Sequence, residues 1–176
     1  MIANDLSHDS SEMQRAVLAA RQADSCYGYA YAQLVTGVRH GAISKPEAAQ
    51  RFAEIDQGEH EVAAILAQYG KKSMASAQQY QAAFDQEAQR LNTTPTALLA
   101  DAGSSPPPAS SSHARAPAPA PRATAAHVSQ NTRQLAQNYN RLNQQVSEIN
   151  QEQSTIEHTA TARRNDMQGL GVEVPS

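Results

Sequence analysis

A seven-residue hydrophobic repeat runs through the last third of the chain, from Ala125 to Met167. The strong positions of the repeat hold branched apolar side chains, and a weaker register follows each of them by four residues. An apolar period of 3.5 residues that is kept over about five heptads predicts one long helix with a narrow stripe that another helix must cover. The strong positions, assigned to d, are Val128, Leu135, Leu142, Ile149 and Ile156.

The weaker register predicts that a coiled coil built on this stripe is only modestly stable. Among the residues assigned to a, Thr132 and Gln153 are polar, and only Tyr139 and Val146 are bulky. Isoleucine at d disfavours a parallel two-stranded coiled coil and favours three or more helices around the axis. Asn and Gln are more frequent than charged residues at the flanking positions, so salt bridges would contribute little to the choice of partner.

We interpret the stripe as an interaction seam through which the helix either forms oligomers or docks a foreign helix. The alternative is that the helix folds back onto the preceding part of its own chain, which would produce much the same hydrophobic pattern. The proline-rich stretch before the helix favours the first interpretation, because a fold-back needs only a short loop. The residues of the predicted seam are Val128, Leu135, Tyr139, Leu142, Val146, Ile149 and Ile156.

Three stretches with a 3.6-residue apolar rhythm lie in residues 1–103 and predict helices at 10–36, 44–70 and 72–91. The clearest start signal is Ser44-Lys45-Pro46-Glu47, which combines an N-cap serine, a first-turn proline and a glutamate that reaches back to the cap. Gly70 is placed to end the second helix. These helices are expected to form a helical hairpin or a three-helix bundle. Their apolar faces include Ile65 and Met74.

Residues 104–124 interrupt the helical pattern with Ser-Ser-Pro-Pro-Pro followed by alternating Ala and Pro. Because proline lacks a backbone donor and fixes φ, this segment is expected to be an extended, semi-rigid spacer. Its alternative role is a ligand for a groove that binds PxxP motifs. The sequence therefore predicts an all-α protein with a helical domain at 1–103, a Pro/Ala/Ser-rich linker at 104–124, and a coiled-coil helix with a short tail at 125–176.

The net charge of −3 and the lack of a basic segment argue against nucleic acid as a partner. The first residues show no cationic start followed by an apolar run, and no stretch approaches the roughly 18 apolar residues of a membrane span. Neither a secretory signal peptide nor a membrane span is therefore expected. We expect the protein to be made in the cytoplasm, with incorporation into a virus particle or export without a cleaved signal as alternatives.

The chain lacks the residue patterns that carry common catalytic and cofactor chemistry. His60 and Glu61 begin like the zinc-binding helix of metalloproteases, but Ala64 stands where the second histidine ligand is needed. Asp56, Glu59 and Glu61 are expected to form a solvated acidic face rather than paired catalytic carboxylates. No enzyme activity, cofactor or metal site is therefore expected.

Tyr27, Tyr29 and Tyr31 form the densest aromatic group of the chain. Helical spacing places Tyr27 and Tyr31 on the core face, whereas Tyr29 points away and is available to a partner. The mixture of Ala, Gln, Asn and Ser on long helices is common in phage virion components and in helical proteins that pass through bacterial secretion channels.

We therefore expect a non-enzymatic structural or interaction protein, a helical subunit of a larger bacterial or phage assembly that uses its C-terminal coiled coil to oligomerise or dock. One alternative is a cytoplasmic adaptor or chaperone that binds a partner protein in an equimolar complex. Another is a DNA-associated regulator with a coiled-coil tail, which the lack of a basic helix disfavours.

Overall fold

The computed structural model of the chain describes residues 2–103 and 130–174, with side chains described for 10–100 and 130–174. Within these ranges the chain forms four α-helices and no strand: α1 (Ile2–Arg39), α2 (Lys45–Arg90), α3 (Pro95–Gly103) and α4 (Gln130–Gly169). The predicted all-α class and the long C-terminal helix are confirmed. The predicted linker at 104–124 and the seam residue Val128 lie outside the described residues.

A tight turn at residues 40–44 reverses the chain between α1 and α2. Gly41 has a φ of 69°, a left-handed backbone conformation that glycine adopts without steric cost. Gly37 leaves room for the Ile43 side chain, which would collide with a Cβ atom at that position. The start of α2 is capped as predicted, because the Ser44 hydroxyl accepts a hydrogen bond from the backbone N–H of Glu47 at 3.4 Å.

α2 runs without interruption through Gly70, so the helix end predicted at that residue is wrong. A Cβ atom placed on Gly70 would lie 3.4 Å from the side-chain oxygen of Asn150 and 3.5 Å from Cγ2 of Ile149. Both distances are ordinary van der Waals contacts, so α4 packs against α2 at this position without requiring a glycine. Glycine in a helix interior costs about 1 kcal/mol relative to alanine.

The chain folds into two compact units. Unit 1 contains Met1–Met74 and Gln144–Ser176, and unit 2 contains Ala75–Asn143. α4 supplies its C-terminal part to unit 1 and its N-terminal part to unit 2. Unit 1 therefore combines residues that precede the segment 104–124 with residues that follow it, and unit 2 does the same.

The core of unit 1 lies where α1, the first part of α2 and the end of α4 meet. Phe52 is fully buried, and the ring of Tyr31 packs edge-on against it with 6.1 Å between the ring centroids. Full burial of one such side chain contributes about 1.5–3 kcal/mol to stability. Val172 lies beyond the end of α4 and is also buried, so the tail packs into this core. The buried residues are Leu34, Val35, Ala48, Phe52, Ile55, Met167 and Val172.

The core of unit 2 joins the end of α2, the short helix α3 and the start of α4. Phe84 stacks on Tyr139 of α4, with 6.3 Å between the ring centroids and 5° between the ring planes. The Thr94 hydroxyl caps α3 by accepting a hydrogen bond from the backbone N–H of Ala97 at 3.2 Å, and this positions Leu98 in the core. The buried residues are Phe84, Ala88, Leu98 and Ala136, and Leu91, Leu99 and Leu135 pack around them.

The chain's own helices cover the heptad stripe of α4. Leu142, Ile149 and Ile156 are buried, and the other described seam residues, Leu135, Tyr139 and Val146, are partly buried. This is the arrangement that the fold-back alternative describes. Contact between the seam and a second molecule stays a prediction.

We expect Leu142→Asp to destabilise the chain by more than about 3 kcal/mol, because it removes a buried leucine and introduces a charge into an apolar site. Leu142 is 4 % exposed. Asn143→Asp introduces the same carboxylate at the next, exposed residue and should change the free energy of unfolding by less than about 0.5 kcal/mol. Urea denaturation followed by circular dichroism measures both variants. Equal losses would contradict the observed burial of the stripe.

Candidate functional site

The expectation that Asp56, Glu59 and Glu61 form a solvated acidic face is only partly correct, because one of these residues of α2 is buried. Glu61 is exposed, as expected, but Glu59 is only 1 % exposed. Glu59 is buried because it shares a helical face with Ile55 and Leu66, four residues before it and seven after it. This spacing was available in the sequence, but three neighbouring acidic residues resemble a solvated surface.

Arg163 of α4 compensates the charge of Glu59. In the heptad pattern, Arg163 follows Ile156 by seven residues and thus occupies the next d position. Its guanidinium group forms an ion pair with the Glu59 carboxylate, and its Nη1 atom lies 3.5 Å from Oδ1 of Asp24 on α1. One side chain therefore links α1, α2 and α4 in unit 1.

A second ion pair lies beside the first. Arg164 donates a hydrogen bond from Nη2 to Oδ2 of Asp56 at 2.5 Å. Two consecutive arginines of α4 are therefore directed at carboxylates of α1 and α2. We refer to Asp24, Asp56, Glu59, Arg163 and Arg164 as the ionic cluster.

Tyr31 of α1 packs against the ionic cluster. The guanidinium carbon of Arg163 lies 5.6 Å from the centroid of the Tyr31 ring, which is within the range of a cation–π interaction. The Tyr31 hydroxyl donates a hydrogen bond to Oδ2 of Asp166 at 2.5 Å. Burial and, after it, this hydrogen bond raise the pKa of the Tyr31 hydroxyl.

Two glycines make space for these side chains. A Cβ atom on Gly28 of α1 would lie 2.9 Å from Nη2 of Arg163. A Cβ atom on Gly58 of α2 would collide with the hydroxyl of Tyr27. Both glycines lie inside helices, where they cost about 1 kcal/mol relative to alanine. The close approach of the neighbouring side chains accounts for glycine at both positions.

The chemistry of the ionic cluster suits it to fixing the positions of helices. Each of its three carboxylates faces an arginine. Among the described residues, no group of three His, Cys, Asp or Glu side chains is arranged to hold a metal ion. A buried ion pair adds little net stability, because desolvation of the charges offsets their attraction, but separation of the partners leaves a buried charge unpaired. The cluster therefore penalises any shift or rotation of α4 in unit 1.

A smaller polar contact joins α4 to α2 in unit 2. Thr132, a polar residue of the weaker heptad register, donates a hydrogen bond to the Glu87 carboxylate at 3.0 Å. Arg90 donates two more, at 2.6 and 2.8 Å. The hydrogen bonds from Arg90 and, to a smaller extent, from Thr132 lower the pKa of Glu87, and desolvation opposes part of this effect. The polar heptad position is thus satisfied within the chain.

The surface of α1 that points away from the core of unit 1 carries no charged residue between Leu18 and Thr36. Tyr29 is 69 % exposed, as its outward direction predicted, and Leu18 is 58 % exposed. Arg21, at the flank of this surface, is held in an ion pair with Glu152 at 2.9 Å. We refer to this surface as the outer face of α1, and its residues are Leu18, Gln22, Ser25, Tyr29, Gln33 and Thr36.

Ile65 and Met74 of α2 are also exposed, although the hydrophobic periodicity assigned them to apolar faces. Each lies next to a buried residue, Leu66 and Ser73 respectively, and successive residues of a helix point about 100° apart. The buried face is therefore narrower than the apolar pattern suggested. The exposed large apolar side chains of the described residues, Leu18, Tyr29, Ile65 and Met74, all belong to α1 and α2 of unit 1.

Arg163→Met should lower the free energy of unfolding by about 3–5 kcal/mol, because it leaves the buried Glu59 carboxylate without its partner. The double variant Glu59→Leu, Arg163→Met replaces both charges by apolar groups of similar size and should recover most of this loss. Arg21→Met removes an exposed ion pair between α1 and α4 and should have a much smaller effect. Chemical denaturation compares the variants. If Arg21→Met lowered the free energy of unfolding as much as Arg163→Met does, burial of the ion pair would not be the cause of the loss.

Thr132→Val should raise the pKa of Glu87 towards its ordinary value, because it removes a hydrogen bond that stabilises the charged carboxylate. A lowered folded-state pKa contributes stability above the pKa of unfolded glutamate, and this contribution is lost as the pH falls through the folded-state pKa. The variant should therefore lose less stability on acidification than the wild type. NMR titration of the Glu87 carboxyl carbon measures the change, and an unaltered pKa would show that Arg90 alone lowers it.

Within the described part of the chain, no helix is both long enough and apolar enough to cross a membrane. Comparisons with protein-family models, with curated proteins and with solved structures find no match to this chain. Its function is therefore inferred from two features of its own structure, the ionic cluster and the outer face of α1.

Proposed function

We propose that the protein is a non-enzymatic helical subunit of a larger assembly, in which one copy contacts another through the outer face of α1. The observation that carries this proposal is the exposure of Tyr29 and Leu18 on a surface without charged residues. Tyrosine combines a large apolar area with a hydroxyl group and is enriched among the residues that dominate binding energy at protein interfaces. Burial of these two side chains at a contact would contribute about 1.5–3 kcal/mol each.

The outer face of α1 fits a second copy of itself. In an antiparallel arrangement with twofold symmetry, Leu18 of each copy faces Tyr29 of the other, so one interface covers both apolar residues of both copies. Because this face carries no charged residue between Leu18 and Thr36, the contact brings no like charges of the two copies together. A nucleic acid would find no cation there to neutralise its phosphates, which makes protein the favoured partner.

The size of this face supports a contact that other contacts reinforce within an assembly, because a twofold contact by itself joins only two copies. From Leu18 to Thr36 it is about 27 Å long, at a rise of 1.5 Å per residue. A contact between two single helices of this length buries less than the roughly 800 Å² per partner that is typical of stable complexes. Weak contacts become effective when many are made at once. Together with the compositional likeness to phage virion components and exported helical proteins, this favours a bacterial or phage assembly.

The predicted seam on α4 is less available for this role than the outer face of α1. Leu142, Ile149 and Ile156 are buried within the chain, whereas Tyr29 and Leu18 are exposed. A foreign helix would have to displace part of the chain to reach the seam. It would reach the outer face of α1 without any rearrangement.

Tyr29→Glu should weaken self-association of the purified protein about tenfold or more, because a loss of 1.4 kcal/mol in binding corresponds to a factor of ten. Sedimentation equilibrium over a range of protein concentrations measures the dissociation constant. Gln151→Glu introduces the same charge at an exposed position of α4 and should leave the dissociation constant unchanged. Circular dichroism should show equal helicity for both variants.

Two results of this experiment would overturn the proposal. One is a wild-type protein that remains monomeric at every concentration, and the other is an equal effect of Tyr29→Glu and Gln151→Glu. A monomer that binds one different protein in an equimolar complex would favour the adaptor or chaperone alternative.

A further inference from the structure

We propose that α4 is exchanged between two copies of the chain: the surface of α1 and α2 that holds the C-terminal part of α4 in unit 1 also accepts that of a second copy. In the exchanged pair, Arg163 of each copy forms its ion pair with Glu59 of the other. The exchange uses a different surface from the outer face of α1, so it holds or fails independently of the proposed function.

The length of chain between α3 and α4 permits the exchange. α3 ends at Gly103 and α4 begins at Gln130, which leaves the 26 residues 104–129 between them. Connections between neighbouring helices commonly need only about 2–8 residues. A segment of 26 residues reaches up to about 90 Å when it is fully extended. The covalent connection therefore does not oblige α4 to pack on its own molecule.

The charges of the ionic cluster identify the occupant as α4 of the same sequence. The surface that receives α4 presents the carboxylates of Asp24, Asp56 and Glu59, and the structure pairs them with two consecutive arginines. A foreign helix without an arginine opposite Glu59 would leave that carboxylate buried and unpaired, which is strongly unfavourable. The α4 of a second copy carries both arginines at the required positions.

A second polar contact selects one alignment of this helix. Gln145 is buried, and its side-chain amide donates hydrogen bonds to the hydroxyl and the backbone oxygen of Ser10 at 2.6 and 3.3 Å. Between Gln145 and Arg163 lie the buried residues Ile149 and Ile156. A shift of α4 by seven residues would keep apolar side chains in the stripe but would separate both polar contacts. The receiving surface is therefore specific for one sequence in one alignment.

Exchange conserves the contacts of unit 1, because each ion pair and each apolar contact is formed again with the helix of the other copy. The equilibrium between the two forms then depends on protein concentration and on the entropy of the connecting residues. For this reason, exchange of an identical element is a low-cost route to a dimer. The heptad stripe of α4 would be buried by helices of its own molecule in one form and by helices of the other copy in the exchanged form.

Complementary charge reversals distinguish exchange from packing within one chain. Glu59→Arg and Arg163→Glu each place like charges together in a single molecule, and each variant expressed alone should fail to form unit 1. When the two variants are co-expressed, only exchange brings the introduced arginine of one chain against the introduced glutamate of the other. The reciprocal site then contains the native pair. We expect a folded dimer that contains one chain of each variant.

The chain that carries both reversals is the matched control, because its opposite charges face each other within one molecule. It should fold, which shows that the reversed pair is tolerated. If this control folds and co-expression of the single variants yields no mixed dimer, the exchange is refuted. Native mass spectrometry identifies the composition of each species.

A cysteine pair gives a test that does not depend on tolerance of the reversed charges. A Cβ atom on Gly70 of α2 would lie 3.5 Å from Cγ2 of Ile149 on α4, so cysteines at these positions are within reach of a disulfide. Gly70→Cys and Ile149→Cys are introduced singly into a chain that carries Cys26→Ser, and the two variants are co-expressed and oxidised. Exchange predicts a disulfide-linked dimer with one chain of each variant, and neither variant alone should form it.

The chain that carries both cysteines reports on packing within one molecule. A disulfide in the monomer of this chain, together with no linked dimer from the mixture of single variants, would overturn the proposal.

Discussion

The ion pair between Glu59 and Arg163 is the interaction on which the arrangement of unit 1 depends. Two charges that are removed from water must stay together, and Arg163 is also directed at Asp24, so a single guanidinium group connects three helices. Alanine-rich faces discriminate poorly between alternative alignments, because small side chains have little shape to interlock. The ionic cluster therefore fixes the alignment of α4 in unit 1, a role that large apolar residues have in proteins with thicker cores.

Two glycines show how a chain with few aromatic residues builds such contacts. Gly28 and Gly58 each lie within a helix, and each stands where a side chain of another helix approaches closely. Each lowers the intrinsic stability of its helix. In return, a guanidinium group and a tyrosine ring reach positions that a Cβ atom would obstruct. Intrinsic helix stability is thus exchanged for close contact between helices.

Signals confined to one or two helical turns predict the local structure well, as the Ser44 cap and the outward direction of Tyr29 illustrate. Gly70 is mispredicted because a glycine at a helix end and a glycine inside a long helix have the same local pattern, and α2 continues through this residue to Arg90. Glu59 is mispredicted because its partner is more than a hundred residues away in the sequence. The heptad stripe identifies the buried face of α4. Periodicity describes only one side of a contact, however, and does not say whether the helices that cover the stripe belong to the same chain or to another molecule.

The burial of Val172 beyond the end of α4 has a kinetic consequence. Departure of α4 from unit 1 would expose Met167 and Val172 together with Phe52, which share one core. Steps that break this much native packing have high activation barriers, so a helix anchored at its far end leaves slowly. The choice between the α4 of the same chain and that of a neighbour would then be made while the chains fold. Until slow reopening brings the two forms to equilibrium, the proportion of exchanged molecules would record how crowded the nascent chains were during synthesis.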